Sequence, residues 1–427
     1  FIAMNKRGQR EAKLGDFCIK CHAPMAVREG YTKDGLNMKD APRSLRGITC
    51  YFCHNAQEVT DTHNNPIKLA NDTIMRGGIR DPRNPVVHGV AYSTLHDGTR
   101  FDSAKLCGSC HDIVTPGGVH LERTYAEWQN SVFSHRGGQT CNNCHMQKMS
   151  GVAADDPNVQ VPARTVHMHL FPGVDTALTP FPDTKVQRAA IDCELSQAVL
   201  VYQLCPSPDP RTEPITLTLE TNAGHRFPSG AAHDRRAWVE LTAYDAQDKI
   251  IYHSGDIAPG SKVEDKQKSS TADHDPLLLR DKIYDKNGNE ALMFWDAVPH
   301  TPDAASVMCD TLPETKSLTP GSHSCEVRYR LVPPPPTTRR MRVQVHVQAV
   351  AREVLDSLVA SGDLDPKLAD KMPTLTLADS ITEWNAGTDL AATDYNCVMN
   401  SVPNTLDCPN DYQCLLYPGL PQCSATP

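Results

Sequence analysis

Residues 104–112 read Ala-Lys-Leu-Cys-Gly-Ser-Cys-His-Asp, and the five at 107–111 set the terms for the rest of the chain. Two cysteines separated by two residues, with histidine directly after the second, form the attachment signal for c-type haem. The two thiols add to the two vinyl groups of haem, and the histidine is carried beneath the iron as its proximal ligand. The same unit occurs at Cys18-Ile-Lys-Cys21-His22, Cys50-Tyr-Phe-Cys53-His54 and Cys141-Asn-Asn-Cys144-His145. Composition alone would yield on the order of 0.02 such pentapeptides in a chain this size, which four copies exclude as coincidence. Zinc accepts Cys and His, but two Cys-x-x-Cys pairs per metal would leave every following histidine unexplained. A thioredoxin-like dithiol needs one motif in a βαβ pattern, not four in loop-rich sequence. The expectation is four haem c groups, held by Cys18, Cys21, Cys50, Cys53, Cys107, Cys110, Cys141 and Cys144, with His22, His54, His111 and His145 as proximal ligands.

Outward from the motifs, their first cysteines lie 32, 57 and 34 residues apart, which suggests two di-haem modules joined by a longer connector. The second motif is preceded by RGITC and the fourth by RGGQTC, a local echo consistent with an internal repeat. Only 6% of the residues are aromatic, and the first 185 show almost no sustained period beyond short helical stretches at the motifs and near Tyr125-Ala-Glu-Trp128. Such a segment buries too little apolar side chain to offset its own ordering entropy, so the macrocycles must form its core.

A c-type haem that only carries electrons is closed on its distal side by His or Met, whereas one that does chemistry leaves that side open. The chain has 18 histidines, fourteen beyond the proximal four, and 12 methionines. Histidine suits a low-potential chain better, because a Met ligand raises the potential. The distal candidates are His88 and His96 in the connector, His167 and His169 in Thr165-Val-His-Met-His-Leu-Phe-Pro-Gly173, and His225 in Asn222-Ala-Gly-His-Arg-Phe-Pro-Ser-Gly230. His169 and His225 share a His-x-Phe-Pro frame in which the Phe can pack on a porphyrin face while the Pro and Gly stiffen the turn. His63, His120 and His135 are reserves near the motifs. His346 falls on the polar face of a strand whose other face is Val343, Val345 and Val347.

From about residue 210 the pattern changes to period two. Ile215, Leu217 and Leu219 alternate, as do Val239, Leu241 and Ala243, then Ile250 with Tyr252, and Val327, Tyr329 and Leu331. Short strands with turn signals between them predict an immunoglobulin-like β-sandwich. Residues 351–360 have helical character, and after Pro373 the sequence reads as loop. The eight cysteines outside the motifs, Cys193, Cys205, Cys309, Cys325, Cys397, Cys408, Cys414 and Cys423, read as disulfides, with nearest-neighbour bridging such as Cys193 to Cys205 the simplest pattern, although eight cysteines allow 105 connectivities. The expected architecture is therefore a haem-cored domain of short helices and little regular structure over 1–185, a β-sandwich over 186–350, and a helix with a disulfide-stapled tail over 351–427.

A net charge of -9 with no Lys/Arg cluster argues against nucleic acid as a partner, and no run of 18 apolar residues spans a bilayer. The sequence opens at Phe1 with no apolar leader, which reads as a processed, exported chain and agrees with disulfide use.

The stretch from Ala91 to Met146, with Leu106-Cys-Gly-Ser-Cys-His-Asp112, Thr124-Tyr-Ala-Glu-Trp128 and Cys141-Asn-Asn-Cys-His-Met146, resembles exported multihaem c-type cytochromes of anaerobic metal-respiring and thermophilic microbes. The run Gly224-His-Arg-Phe-Pro-Ser-Gly230, on through Arg236-Ala-Trp-Val-Glu240 to Tyr252-His-Ser-Gly255, is similar to the β-domain that follows the haems in several of them. Four haems on one exported subunit are also similar to the tetrahaem cytochromes that polymerise into extracellular filaments, with one iron ligated by a neighbouring subunit. These resemblances imply electron transfer through bis-His haems, outside the cell or in the periplasm, with other redox proteins or further copies of the chain as partners. An alternative is a multihaem oxidoreductase with one open iron acting on a small nitrogen or sulfur compound. A third reading makes the β-domain a surface-adhesion module.

Overall fold

The computed structural model describes residues 1–83, 88–135, 138–154, 158, 160–180, 184–205, 215–263, 276–299, 326–331, 335–386 and 397–400. Cys309, Cys325, Cys408, Cys414 and Cys423 lie outside these residues. The chain forms two compact units. The first is Phe1–Phe171 with Ile283–Thr301 and Ser357–Asp365; the second is Pro172–Lys282, Pro302–Asp356 and Pro366–Pro427.

In the first unit three haem motifs sit on or against a single helical turn, at Ile19–His22, Cys50–His54 and Cys141–His145, while the third begins in the helix Ala104–Gly108 and runs into the turn that follows it. After the second motif come four two-stranded ribbons, of which Ile74–Gly77 with Gly89–Tyr92 is parallel and the others antiparallel, and Lys148–Gly151 with Arg164–His167 follows the last motif. Its buried apolar side chains fall into small clusters set around the motifs rather than one layer. Phe52 packs with Met25, Ala56, Ile67 and Leu69, Ile19 with Ala23 and Ala26, and Ala104 with Tyr125 and Trp128. The two late segments join this unit through specific contacts. Phe294 and Trp295 cluster with Leu14 and Phe17, and the Arg10 guanidinium forks onto the Asp363 carboxylate at 2.8 and 2.6 Å.

The second unit is built on two antiparallel sheets. One has the order Glu326–Leu331, Ile215–Thr221, Val199–Cys205, Val398–Met399. The other has the order Ile250–Ser254, Arg236–Tyr244, Arg340–Gln348, Leu375–Asn385, with Leu278–Leu279 paired to Arg236–Tyr244. Period two explains the core. Leu217 and Leu219 from one sheet and Val239, Leu241, Ala243, Val343, Val345 and Val347 from the other interdigitate in one cluster, while the alternate residues lie on the opposite faces, where Trp238 is buried with Ile257, Val263 and Leu278. The helix expected at 351–360 is present as Arg352–Ala360.

Two expectations need correction. The sequence after Pro373 is not loop throughout, because Leu375–Asn385 is an eleven-residue strand paired along Arg340–Gln348. Its register shifts opposite Val343 to Val345, where the Ser380 hydroxyl accepts from the Val345 amide at 2.8 Å and donates to the Leu377 carbonyl at 2.6 Å. That bulge turns Ser380, Thr382 and Trp384 inward after Leu375 and Leu377, so the apolar alternation breaks in mid-strand and hides the element. Nor does Cys193 bridge to Cys205: Cys205 is bonded to Cys397, 192 residues away, and Cys193 is disulfide-bonded to another cysteine. Cys397 directly precedes the strand Val398–Met399, whose pairing Val398 to Leu204 sets it opposite Cys205, so sheet register outweighs closeness in sequence.

Candidate functional site

The four motif turns are built alike. In the first, the amides of Cys21 and His22 donate to the Cys18 carbonyl at 3.3 and 3.2 Å; in the third, those of Cys110 and His111 donate to Cys107 at 3.1 and 3.0 Å. One turn therefore presents thiols i and i+3 on one side with the histidine next to them. The repeated Thr-Cys of RGITC and RGGQTC is a capping signal. Thr49 Oγ1 accepts from the Phe52 amide at 3.2 Å, and Thr140 forms a capping box with Asn143. In the third motif Gly108 lies beneath the Tyr125 ring, which leaves room for no side chain there.

All eight motif thiols are free, whereas the described cysteines outside the motifs are disulfide-bonded. The thiols of different motifs converge. Cys21 lies against Cys110 and Cys107 against Cys141, while Cys53 lies close enough to Cys107 and Cys110 for their charges to interact. Burial pushes the Cys18 thiol up to about 11 and that of Cys53 up to about 12. Desolvation disfavours the thiolate at both, which sets them apart from exposed, low-pKa redox-sensing cysteines. The third motif is the meeting point, and a loop fixes it against the first. Asn64 accepts from the Val114 amide at 3.1 Å, donates to its carbonyl at 2.8 Å, and donates its own amide to the Asp112 carbonyl at 3.1 Å. The Asn65 amide donates to Ser109 at 2.6 Å, and its side chain donates to the Lys20 carbonyl.

The proximal histidine of the second motif is the best defined. His54 Nδ1 donates to the Arg76 carbonyl at 2.5 Å, which leaves Nε2 as the ligating atom. His22 stacks on Phe1 at 3.8 Å, and the His111 carbonyl accepts from the Tyr125 amide at 3.1 Å. His145 closes the fourth motif helix.

Two of the distal candidates gather around His54. His96 stacks on it at 5.5 Å and 16°, and His169 lies at 6.1 Å and 34°. His96 donates through Nε2 to the Cys53 carbonyl at 2.8 Å, so it braces the second motif through the nitrogen that ligation would use. Its Nδ1 is buried without a partner, and burial pulls the imidazole down to about 4. His167 Nδ1 donates to the Met146 carbonyl at 2.7 Å, next to the fourth motif, and so keeps Nε2 available. His88 is exposed and bonds locally to the Gly89 carbonyl.

His225, in the second unit, donates through Nδ1 to the Arg226 carbonyl at 2.9 Å. Its neighbour Phe227 is 6% exposed in the core shared by the two sheets, whereas Phe171, in the other His-x-Phe-Pro frame, is 55% exposed at φ 47. The shared frame thus has no shared geometry, and Phe227 serves the strands rather than a porphyrin face.

The residues fit covalently held haem. They supply paired free thiols at the required spacing, a histidine oriented by a backbone carbonyl, and further imidazoles nearby. Among the described residues no group of three or more His, Cys, Asp or Glu side chains is gathered closely enough to hold a metal ion. The sequence reading missed Asn64, Asn65, and an Asp72–Arg76–Asn55 network beside His54. Their signal is conformational, since Asn64, Asn65 and Asn71 all take positive φ, and only neighbouring Asn-Asn hints at it in the sequence.

No protein-family model matches the chain, and neither does any curated protein. A solved structure does: the penta-haem cytochrome c552 from Thermochromatium tepidum, at TM-score 0.54 and 17% identity, over 86% of this chain and 83% of that one. The likeness is one of fold. That protein is described with five haems, whereas the present chain carries four Cys-x-x-Cys-His units. Among the described residues no helix is long and apolar enough to cross a membrane.

Proposed function

We propose that the protein is an electron carrier holding four haem c groups. The observation that carries this reading is the set of eight free thiols in four Cys-x-x-Cys-His units, with Cys21, Cys53 and Cys141 approaching the thiols of the third motif. When bound, haem supplies a one-electron Fe(III)/Fe(II) couple. Each motif thiol marks an edge of the group it would hold. The pairs Cys21 with Cys110 and Cys107 with Cys141 therefore support an order in which the third site lies between the first and the fourth, with the second beside it.

His169 and His167 are the sixth ligands best supported, because each lies beside a motif in the first unit; His88, His96 and His225 remain candidates. Closed iron sites suppress side chemistry and suit a carrier more than an enzyme. Covalent attachment and disulfides fit an exported protein, periplasmic or extracellular, that exchanges electrons with other redox proteins or with further copies of itself in a filament. EPR of the oxidised protein tests the carrier reading. Four low-spin haems are expected, and a stoichiometric high-spin signal would turn the assignment to an oxidoreductase with one open iron. Negative-stain microscopy tests the filament, which predicts linear polymers rather than separate particles.

A further inference from the structure

The second motif has a carboxylate network built against both ends of its helix. Asp72 follows the ribbon strand Ile67–Leu69 and precedes Ile74–Gly77. Its Oδ1 accepts from Asn55 Nδ2 at 3.0 Å, the Ile74 amide at 3.1 Å and Arg76 Nη1 at 3.0 Å, and its Oδ2 from Arg76 Nη2 at 2.8 Å. Its backbone carbonyl accepts from Asn55 Nδ2 at 3.0 Å and from the Tyr51 hydroxyl at 3.2 Å. Tyr51 belongs to the motif helix Cys50–His54 and Asn55 caps it, so one residue grips both ends of the turn that carries His54. Asn55 is wholly buried, and its Oδ1 accepts from the Asn71 amide at 2.7 Å, which closes the network. The other end of the clamp is Arg76, whose carbonyl is the acceptor for His54 Nδ1. The fork between Asp72 and the Arg76 guanidinium fixes the position of that carbonyl relative to the imidazole.

We infer that Asp72 is a positioning residue for the second haem site, setting the strength of the His54 Nδ1–H···O bond through Arg76 and Asn55. The inference rests on His54 being the proximal ligand. A firm bond from Nδ1 to a carbonyl makes Nε2 a stronger donor and favours the ferric state, which lowers that site's potential relative to one with a slack bond. A bidentate Arg–carboxylate pair is the geometry that resists such slack, since two parallel bonds fix angle as well as distance. Asp72 touches neither haem-binding sulfur nor the ligating nitrogen; the through-space effect of its charge is separated from its positioning role by Arg76→Gln, which breaks the same fork while changing the charge in the opposite sense.

The test uses the full haem-loaded chain. His54→Ala first marks the second site, as the haem that turns high-spin by EPR; if all four stay low-spin, the ligand assignment fails and the inference with it. In Asp72→Asn, four haems remain attached, the low-spin signal of the marked site shifts, and one component of the redox titration moves to higher potential while three stay in place. Asp72→Glu, which keeps the charge and the fork, restores part of the shift. Arg76→Gln breaks the fork from the other side and keeps the carbonyl, and it reproduces the Asp72→Asn shift even if that variant matures poorly. The inference is overturned if the marked site is unchanged in both Asp72→Asn and Arg76→Gln, or if all four components move together.

Discussion

Asn64 offers a test of how the third motif is held. Its side chain makes two hydrogen bonds to Val114, at 2.8 and 3.1 Å, which imitate a β-bridge, and its backbone sits at φ 60. Asn64→Ala removes both bonds, each worth about 0.5–1.5 kcal/mol net, and leaves in left-handed backbone a residue that tolerates it less well than asparagine, costing about 1 kcal/mol more. The sum is about 2–4 kcal/mol. Asn64→Gly loses the same bonds but relieves the backbone, so it should cost about 1–3 kcal/mol, roughly 1 kcal/mol less than Ala. Urea midpoints of the haem-loaded variants, followed by far-UV circular dichroism, give the ranking wild type, then Gly, then Ala. Hydrogen exchange at the 113–114 and 120–122 strands should rise in both variants. Equal midpoints for Ala and Gly would refute the left-handed requirement, and a wild-type midpoint in both would refute the clamp.

At Gly108 a Cβ would meet Tyr125 Cγ at 2.3 Å, so Gly108→Val should cost about 1–3 kcal/mol by overpacking and lower haem occupancy of the third motif, read by peptide mass mapping. Burial raises the Glu240 carboxyl, but bonds from His253 at 2.9 Å, His346 at 2.6 Å and Gln344 at 2.7 Å outweigh it and hold the group well below the usual carboxylate range. Because the folded pKa is depressed, that stabilisation is present above the ordinary value of 4.5 and is lost as pH falls below it; unfolding midpoints from pH 7 to 3 should therefore drop less steeply in Glu240→Gln than in the wild type. Replacing Cys205 and Cys397 together by Ser opens a 192-residue loop and should cost about 2–5 kcal/mol, read as a lower thermal midpoint of the strand unit.

What the sequence showed most clearly was chemistry with a fixed local spacing. Cys-x-x-Cys-His reads directly because porphyrin geometry dictates it, and strands such as Val343, Val345 and Val347 read directly because one face is buried without interruption. What stayed hidden depends on residues far apart in the chain. The partner of Cys205 follows from the register of a two-residue strand, the phase of Leu375–Asn385 from one serine hydroxyl, and the setting of His54 from a carbonyl 22 residues on. His96 was legible as an imidazole near the haem sites, but its use of Nε2 to brace Cys53 was not.

The central claim is that this chain stores and passes electrons on four covalent haems. Coulometric titration of the purified chain, with its intact mass recorded on the same sample, tests it most directly. The account predicts a mass increase equal to four haems and four electrons taken up reversibly per chain. A smaller haem complement, or motif thiols that still alkylate as free cysteines in the matured protein, would contradict it.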